Sequence, residues 1–137
     1  MRLNQKSGFT LLEIIIVIII VGVLASLALP RFFSTVEFSR STEALASMSS
    51  LRGAVERCYL ANGGNYSGCT IPVIDVANPG ISPGASFTYN IITATLAYTI
   101  NARRDTDNGG DGTSQIILVQ TVAGVTRSGT GTFVGIK

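Results

Sequence analysis

The chain has 137 residues, room for one modest domain and an anchor but not for two domains. It is 46% hydrophobic and has neither His nor Trp. The missing His removes the commonest general base and the commonest transition-metal ligand, which argues against an enzyme. Ten Lys+Arg and eight Asp+Glu give a formal charge of +2. Arg2 and Lys6 supply that excess, and beyond residue 8 eight cations face eight anions. Charge therefore indicates no general nucleic-acid-binding surface.

Residues 1–8 (MRLNQKSG) are short, polar and basic, and residues 9–29 (FTLLEIIIVIIIVGVLASLAL) form an apolar run whose single charge is Glu13. Twenty-one helical residues at ~1.5 Å each reach about 30 Å, enough to cross a bilayer core. The leading cations place the N-terminus in the cytoplasm and the remainder outside, with Arg31 weakening that bias slightly. Three readings compete for this segment. A secretory signal would be cut after Ser26-Leu27-Ala28 to leave Leu29 first. A plain single-pass anchor leaves Glu13 as a penalty of ~2.5–3.5 kcal/mol near a helix centre, less near its end. The third reading uses the carboxylate.

The string Gly8-Phe9-Thr10-Leu11-Leu12-Glu13 at the junction of a basic leader and a spanning run resembles the prepilin motif of type IV pilins and type II secretion pseudopilins. The Ile/Val-rich run, Gly22, and Pro30 followed by Phe32 and Phe33 fit the same family, so the match covers roughly the first 33 residues. The resemblance implies scission of Gly8–Phe9 by a membrane prepilin peptidase, N-methylation of Phe9 and assembly into a helical filament. Phe9, Glu13, Gly22 and Pro30 are then the assembly residues. It also implies that Glu13 meets the Phe9 amine of a neighbouring subunit. A carboxylate in hydrocarbon needs such a partner, and residues i and i+4 of one helix face could supply it within the chain beforehand. A low dielectric makes that pair sensitive to position, so it could select the axial register between subunits. Gly22 and Pro30 predict a bent anchor; the resemblance also allows extended backbone between them in the filament.

Beyond Pro30, Ala44, Leu45, Met48, Leu51, Val55, Cys58 and Tyr59 recur at helical spacing, and Asn62-Gly63-Gly64 marks the stop. One helix over about 9–61 is expected, apolar all round in its first half and amphipathic in its second. A Gly/Pro/Ser/Asn-rich loop follows over 62–86. Four short β-rich runs come next, at 87–92, 96–102, 116–122 and 132–136. The expected fold is α+β: a long N-terminal helix on an antiparallel sheet of about four strands, a pilin-like roll. The expected organisation is a leader over 1–8, a transmembrane half over 9–29, and an extracytoplasmic region over 30–137. Cys58 and Cys69, an even pair outside the cytoplasm, are expected to form a disulfide pinning the loop to the helix. Its position differs from the more C-terminal bridge of many type IV pilins, so adhesion roles of that loop do not carry over.

Residues 105–112 hold Asp105, Asp107, Asn108 and Asp111 on glycine-flexible backbone. Oxygen donors so spaced suit Ca²⁺, yet Gly109 and Ile116 break the EF-hand pattern, and a solvated hairpin loop explains the composition equally well. The aromatic residues are read as core or subunit packing, and Arg103-Arg104 as too small a cluster for nucleic acid. The sequence thus points to a filament subunit of a pilus or pseudopilus. It would be an inner-membrane precursor first, and later part of a periplasmic or extracellular filament with assembly machinery as partners. The rival is a secreted or tethered binding module that uses the acidic loop, with no cofactor beyond a possible Ca²⁺.

Overall fold

The computed structural model describes residues 8–137, so the leader read over 1–8 lies, apart from Gly8, outside the described residues. Its elements are α1 (Leu11–Ala61), β1 (Phe87–Ala94), β2 (Ala97–Arg104), β3 (Gln115–Thr121) and β4 (Gly124–Thr130), with single 3-10 turns at Pro79–Ile81 and Gly131–Phe133. They divide into two compact units, residues up to 36 and residues 37–137.

In the first unit every residue from 8 to 35 is exposed. An 18-residue stretch of α1 reaches a mean hydropathy of 3.0 with none of it buried. Among the described residues, α1 is the one helix long and apolar enough to cross a membrane. The helix is unbroken through Pro30, which has no N–H to give the preceding turn. Hydroxyls flank that position: Ser26 Oγ donates to the Val23 carbonyl (2.7 Å), while Ser34 and Thr35 both donate to that of Arg31 (2.9 Å). A Cβ on Gly22 would meet nothing within 4 Å, so no close contact requires glycine there.

In the second unit the stripe expected from the sequence faces the core, with Leu45, Cys58 and Tyr59 partly buried. Ala44, Met48, Leu51 and Val55 turn inward at spacings of three and four, joined by Ser41 and Ala54. The helix stops where Gly63 and Gly64 adopt φ of 66° and 84°, and the Gly64 N–H returns to the Tyr59 carbonyl (2.9 Å). The four-stranded sheet has the order β1-β2-β3-β4, antiparallel throughout, giving the α+β class the sequence predicts. Burial alternates along β1 to β3. Phe87, Tyr89 and Ile91 turn to the helix side with Tyr98, Ile100, Ala102, Ile116 and Leu118. Full burial of each large apolar side chain contributes about 1.5–3 kcal/mol.

The fourth strand is a correction. The sequence reading placed it at 132–136, but β4 is Gly124–Thr130, paired with β3 from Gln115↔Thr130 to Thr121↔Gly124. Two residues, Val122 and Ala123, connect the strands, and Gly124 opens β4 at φ 129°. Phe133 and Ile136, which gave 132–136 its apolar look, instead plug the core from a turn and a tail.

Candidate functional site

The Gly8–Phe9 bond lies outside any helix, because α1 begins at Leu11. Thr10 is the residue that starts it. Its Oγ1 accepts from the Glu13 N–H (3.2 Å), and its own N–H points back to Glu13 Oε2 (3.4 Å). The pair forms a capping box: hydroxyl and carboxylate each satisfy a backbone donor left over at a helix start. Phe9 is 80% exposed one residue further out. In this uncleaved chain Glu13 faces Thr10. The sequence carries the signal for this as Thr-x-x-Glu before an apolar run.

Cys58 and Cys69 form a disulfide, with Sγ–Sγ of 2.01 Å and Cα–Cα of 5.9 Å. Cys69 is fully buried. The bridge fastens the segment after α1 to the last helical turn. Arg57 strengthens the same junction with a two-pronged ion pair to Asp75 (2.8 Å for each prong). That pairing raises the Arg57 pKa and lowers that of Asp75. Glu56, one residue earlier, accepts from the phenols of Tyr66 (3.0 Å) and Tyr98 (2.9 Å). The Tyr66 ring stacks on Tyr59 and meets Tyr98 edge-on. Burial first, then the Glu56 carboxylate, raises the Tyr66 pKa to about 12 and pushes Tyr98 up as well. These rings, with Phe87 and Phe133, are packing residues; Phe32, Phe33 and Phe38 are exposed.

The acidic loop is organised by its own hydrogen bonds. Asp105 accepts from the Asn108 amide (3.0 Å) and from the Asp107 N–H (3.4 Å). Asp111 accepts from the N–H groups of Thr113 (2.9 Å) and Ser114 (2.7 Å) and from the Ser114 hydroxyl. These donors, the Ser114 hydroxyl foremost, hold the Asp111 carboxyl well below the usual carboxylate range. Buried Ser114 in turn accepts from the Thr132 N–H (2.9 Å), tying the loop to the C-terminal tail. Gly131 sits over it at φ 63°, where a Cβ would collide with the Ser114 hydroxyl. Among the described residues no three His, Cys, Asp or Glu side chains gather to hold a metal ion.

One central residue escaped the sequence reading. Arg104, read there with Arg103 only as a cluster too small for nucleic acid, has a side chain only 1% exposed. It grips Glu37 of α1 through Nε (2.8 Å) and Nη2 (3.2 Å), donates to the carbonyls of Ser86 and Asn108, and lies over the Phe87 ring (5.4 Å). Strand parity was the available signal, since Arg104 shares a face with Tyr98, Ile100 and Ala102 and Arg103 does not.

With this geometry in place, comparison with known proteins gives the class. Residues 3–29 match the prokaryotic N-terminal methylation motif. The chain is 37% identical over 62 residues to the type II secretion system core protein G of Aeromonas hydrophila, covering 45% of this chain and 43% of that protein. It is 33% identical over 57 residues to the type IV major fimbrial protein FimA of Dichelobacter nodosus, covering 42% and 36%. It is 45% identical over 56 residues to a probable minor fimbrial protein of the same organism, covering 41% and 35%. By this motif and these relatives, the N-terminal part of the chain is similar to type IV pilins and type II secretion pseudopilins. The matched stretch spans less than half the length of these relatives. No solved structure matches the chain.

Proposed function

We propose that this chain is a structural, non-enzymatic subunit of a type IV pilus or a type II secretion pseudopilus, cleaved between Gly8 and Phe9 by prepilin peptidase and polymerised through its N-terminal helix. One observation carries the reading: the methylation motif over 3–29 covers the start of a helix whose residues 11–29 are all exposed. A surface of that kind in water greatly exceeds the apolar patch a monomer ordinarily exposes, so lipid and then neighbouring copies must cover it. The precursor would sit in the inner membrane with residues 1–8 in the cytoplasm, and the assembled filament in the periplasm or outside the cell.

Cleavage exposes an amine at Phe9 within reach of a carboxylate that the uncleaved chain spends on capping. The capping box gives Glu13 a local partner before assembly. In the filament the Phe9 amine of a neighbour, N-methylated and still cationic, is the stronger partner in hydrocarbon. Gly22 and Pro30 would allow the helix to adapt as the subunit leaves the bilayer. The test separates cleavage from assembly. Glu13→Ala is expected to be cut at Gly8–Phe9 yet to yield few or no filaments, and Glu13→Gln, which can still cap, should also fail to assemble. Normal filaments from either variant would remove the charge pair from the account.

A further inference from the structure

We infer that the face of the sheet turned away from α1 is a binding site for an acidic saccharide, with Arg103 taking the carboxylate. The strand register builds it. Thr88, Arg103 and Gln115 stand in one cross-strand row, and Asn90, Asn101 and Ile117 in the next. These positions alternate with the core residues and so face outward. A depression of about 390 Å³ lies over them, at the lower end of the range of small-ligand sites.

The chemistry of the depression is one-sided. No carboxylate occupies an outward position in any of the four strands; those positions carry Thr, Ser, Asn, Gln, Ile, Val, Ala and Gly, and Arg103 is their one charge. Arg104, its sequence neighbour, is neutralised by Glu37 on the other side. Within residues 8–137 the side chains of Asn90, Asn101, Arg103 and Gln115 form no hydrogen bond or ion pair with one another or with the rest of the chain. Asn101 Oδ1 is buried without a donor, a costly arrangement that calls for a partner. Three amides that donate and accept, a hydroxyl and a planar guanidinium together match a ligand carrying many hydroxyls and one carboxylate. A neutral sugar would leave the guanidinium unused, and a simple anion would leave the amides unused. All the Tyr and Phe rings of the strands point the other way, so recognition here rests on hydrogen bonds and charge, not on ring stacking. This site is independent of the filament reading, since it involves no residue before position 88.

The test uses the full chain in zwitterionic detergent micelles, titrated with trigalacturonate and with neutral galactotriose and followed by calorimetry and backbone amide shifts. Trigalacturonate is expected to bind saturably, with shifts centred on residues 88–90, 101–103 and 115–117, and galactotriose to bind several-fold more weakly. Arg103 is exposed, so Arg103→Gln should fold normally and bind trigalacturonate about tenfold more weakly, the loss expected for one charged hydrogen-bonding group. Arg57→Gln, on the opposite end of the unit, should bind as the parent does. Absence of saturable binding, shifts centred elsewhere, equal affinity for the neutral trisaccharide, or full affinity in Arg103→Gln would each overturn the proposal.

Discussion

A guanidinium with a side chain 1% exposed depends on every acceptor around it. Arg104 has two oxygens of Glu37, two carbonyls and a ring face, so removing one partner strands a buried cation. Glu37→Gln is expected to lower unfolding free energy by roughly 2–3 kcal/mol, less than for a wholly buried pair because Glu37 is itself 24% exposed. The double variant Glu37→Leu with Arg104→Met should be less damaged than Glu37→Gln alone; urea unfolding of the single and double variants checks this. Asp111 makes a pH prediction. Its carboxyl is held low by Ser114 and Thr113, so its contribution is complete above the unfolded value near pH 4 and is lost as pH falls through the depressed folded value. Asp111→Asn should remove that part of the acid destabilisation in a melting-temperature series from pH 5 to 2. The tyrosines act at the other end. Tyr66, raised to about 12, stabilises below pH 10 and ceases to do so as pH rises toward 12, and absorbance at alkaline pH should show it ionising late. At this scale composition hid as much as it disclosed. The two arginines at 103 and 104 look alike in a charge count, yet the period-two backbone sends one to solvent and the other into the core.

At the scale of elements, the disulfide and the loop it closes carry the clearest prediction. Removing the bridge with Cys58→Ser and Cys69→Ser together should cost ~2.5–3 kcal/mol in the chain-entropy model, with the sheet retained. Denaturant unfolding alongside circular dichroism measures both. The pairing was legible because two cysteines eleven residues apart flank a glycine-rich helix stop. The edge strand was not. β4 reads Gly-Val-Thr-Arg-Ser-Gly-Thr, with one strong apolar residue, because an edge lying largely in solvent needs few. Its pairing depends on the turn before it and on the Phe133 plug after it. In the acidic loop, the carboxylates of Asp105 and Asp111 accept from backbone and side-chain donors nearby. We propose that this loop is self-supporting, so that millimolar calcium leaves the melting temperature of the parent unchanged and Asp107→Ala behaves alike. A calcium-dependent rise lost in Asp107→Ala would assign the cation there.

For the whole molecule, the two compact units differ in what they hold. Residues up to 36 carry the methylation motif, the exposed apolar helix and the capping box; residues 37–137 hold the core, the disulfide and the sheet. The first unit was readable because a specific motif stands at the border of an apolar run long enough to span a bilayer. The globular unit was readable only as a class, since four β-rich runs fix a sheet but not which edge residues close it. The central claim is that the chain is processed at the border between leader and helix, and it meets its most direct test at the N-terminus of the protein recovered from membranes. Intact-mass and terminal-peptide spectrometry should find a chain beginning at Phe9 and carrying one added methyl on its amine. A chain beginning at Leu29, or one retaining residues 1–8, would contradict the account.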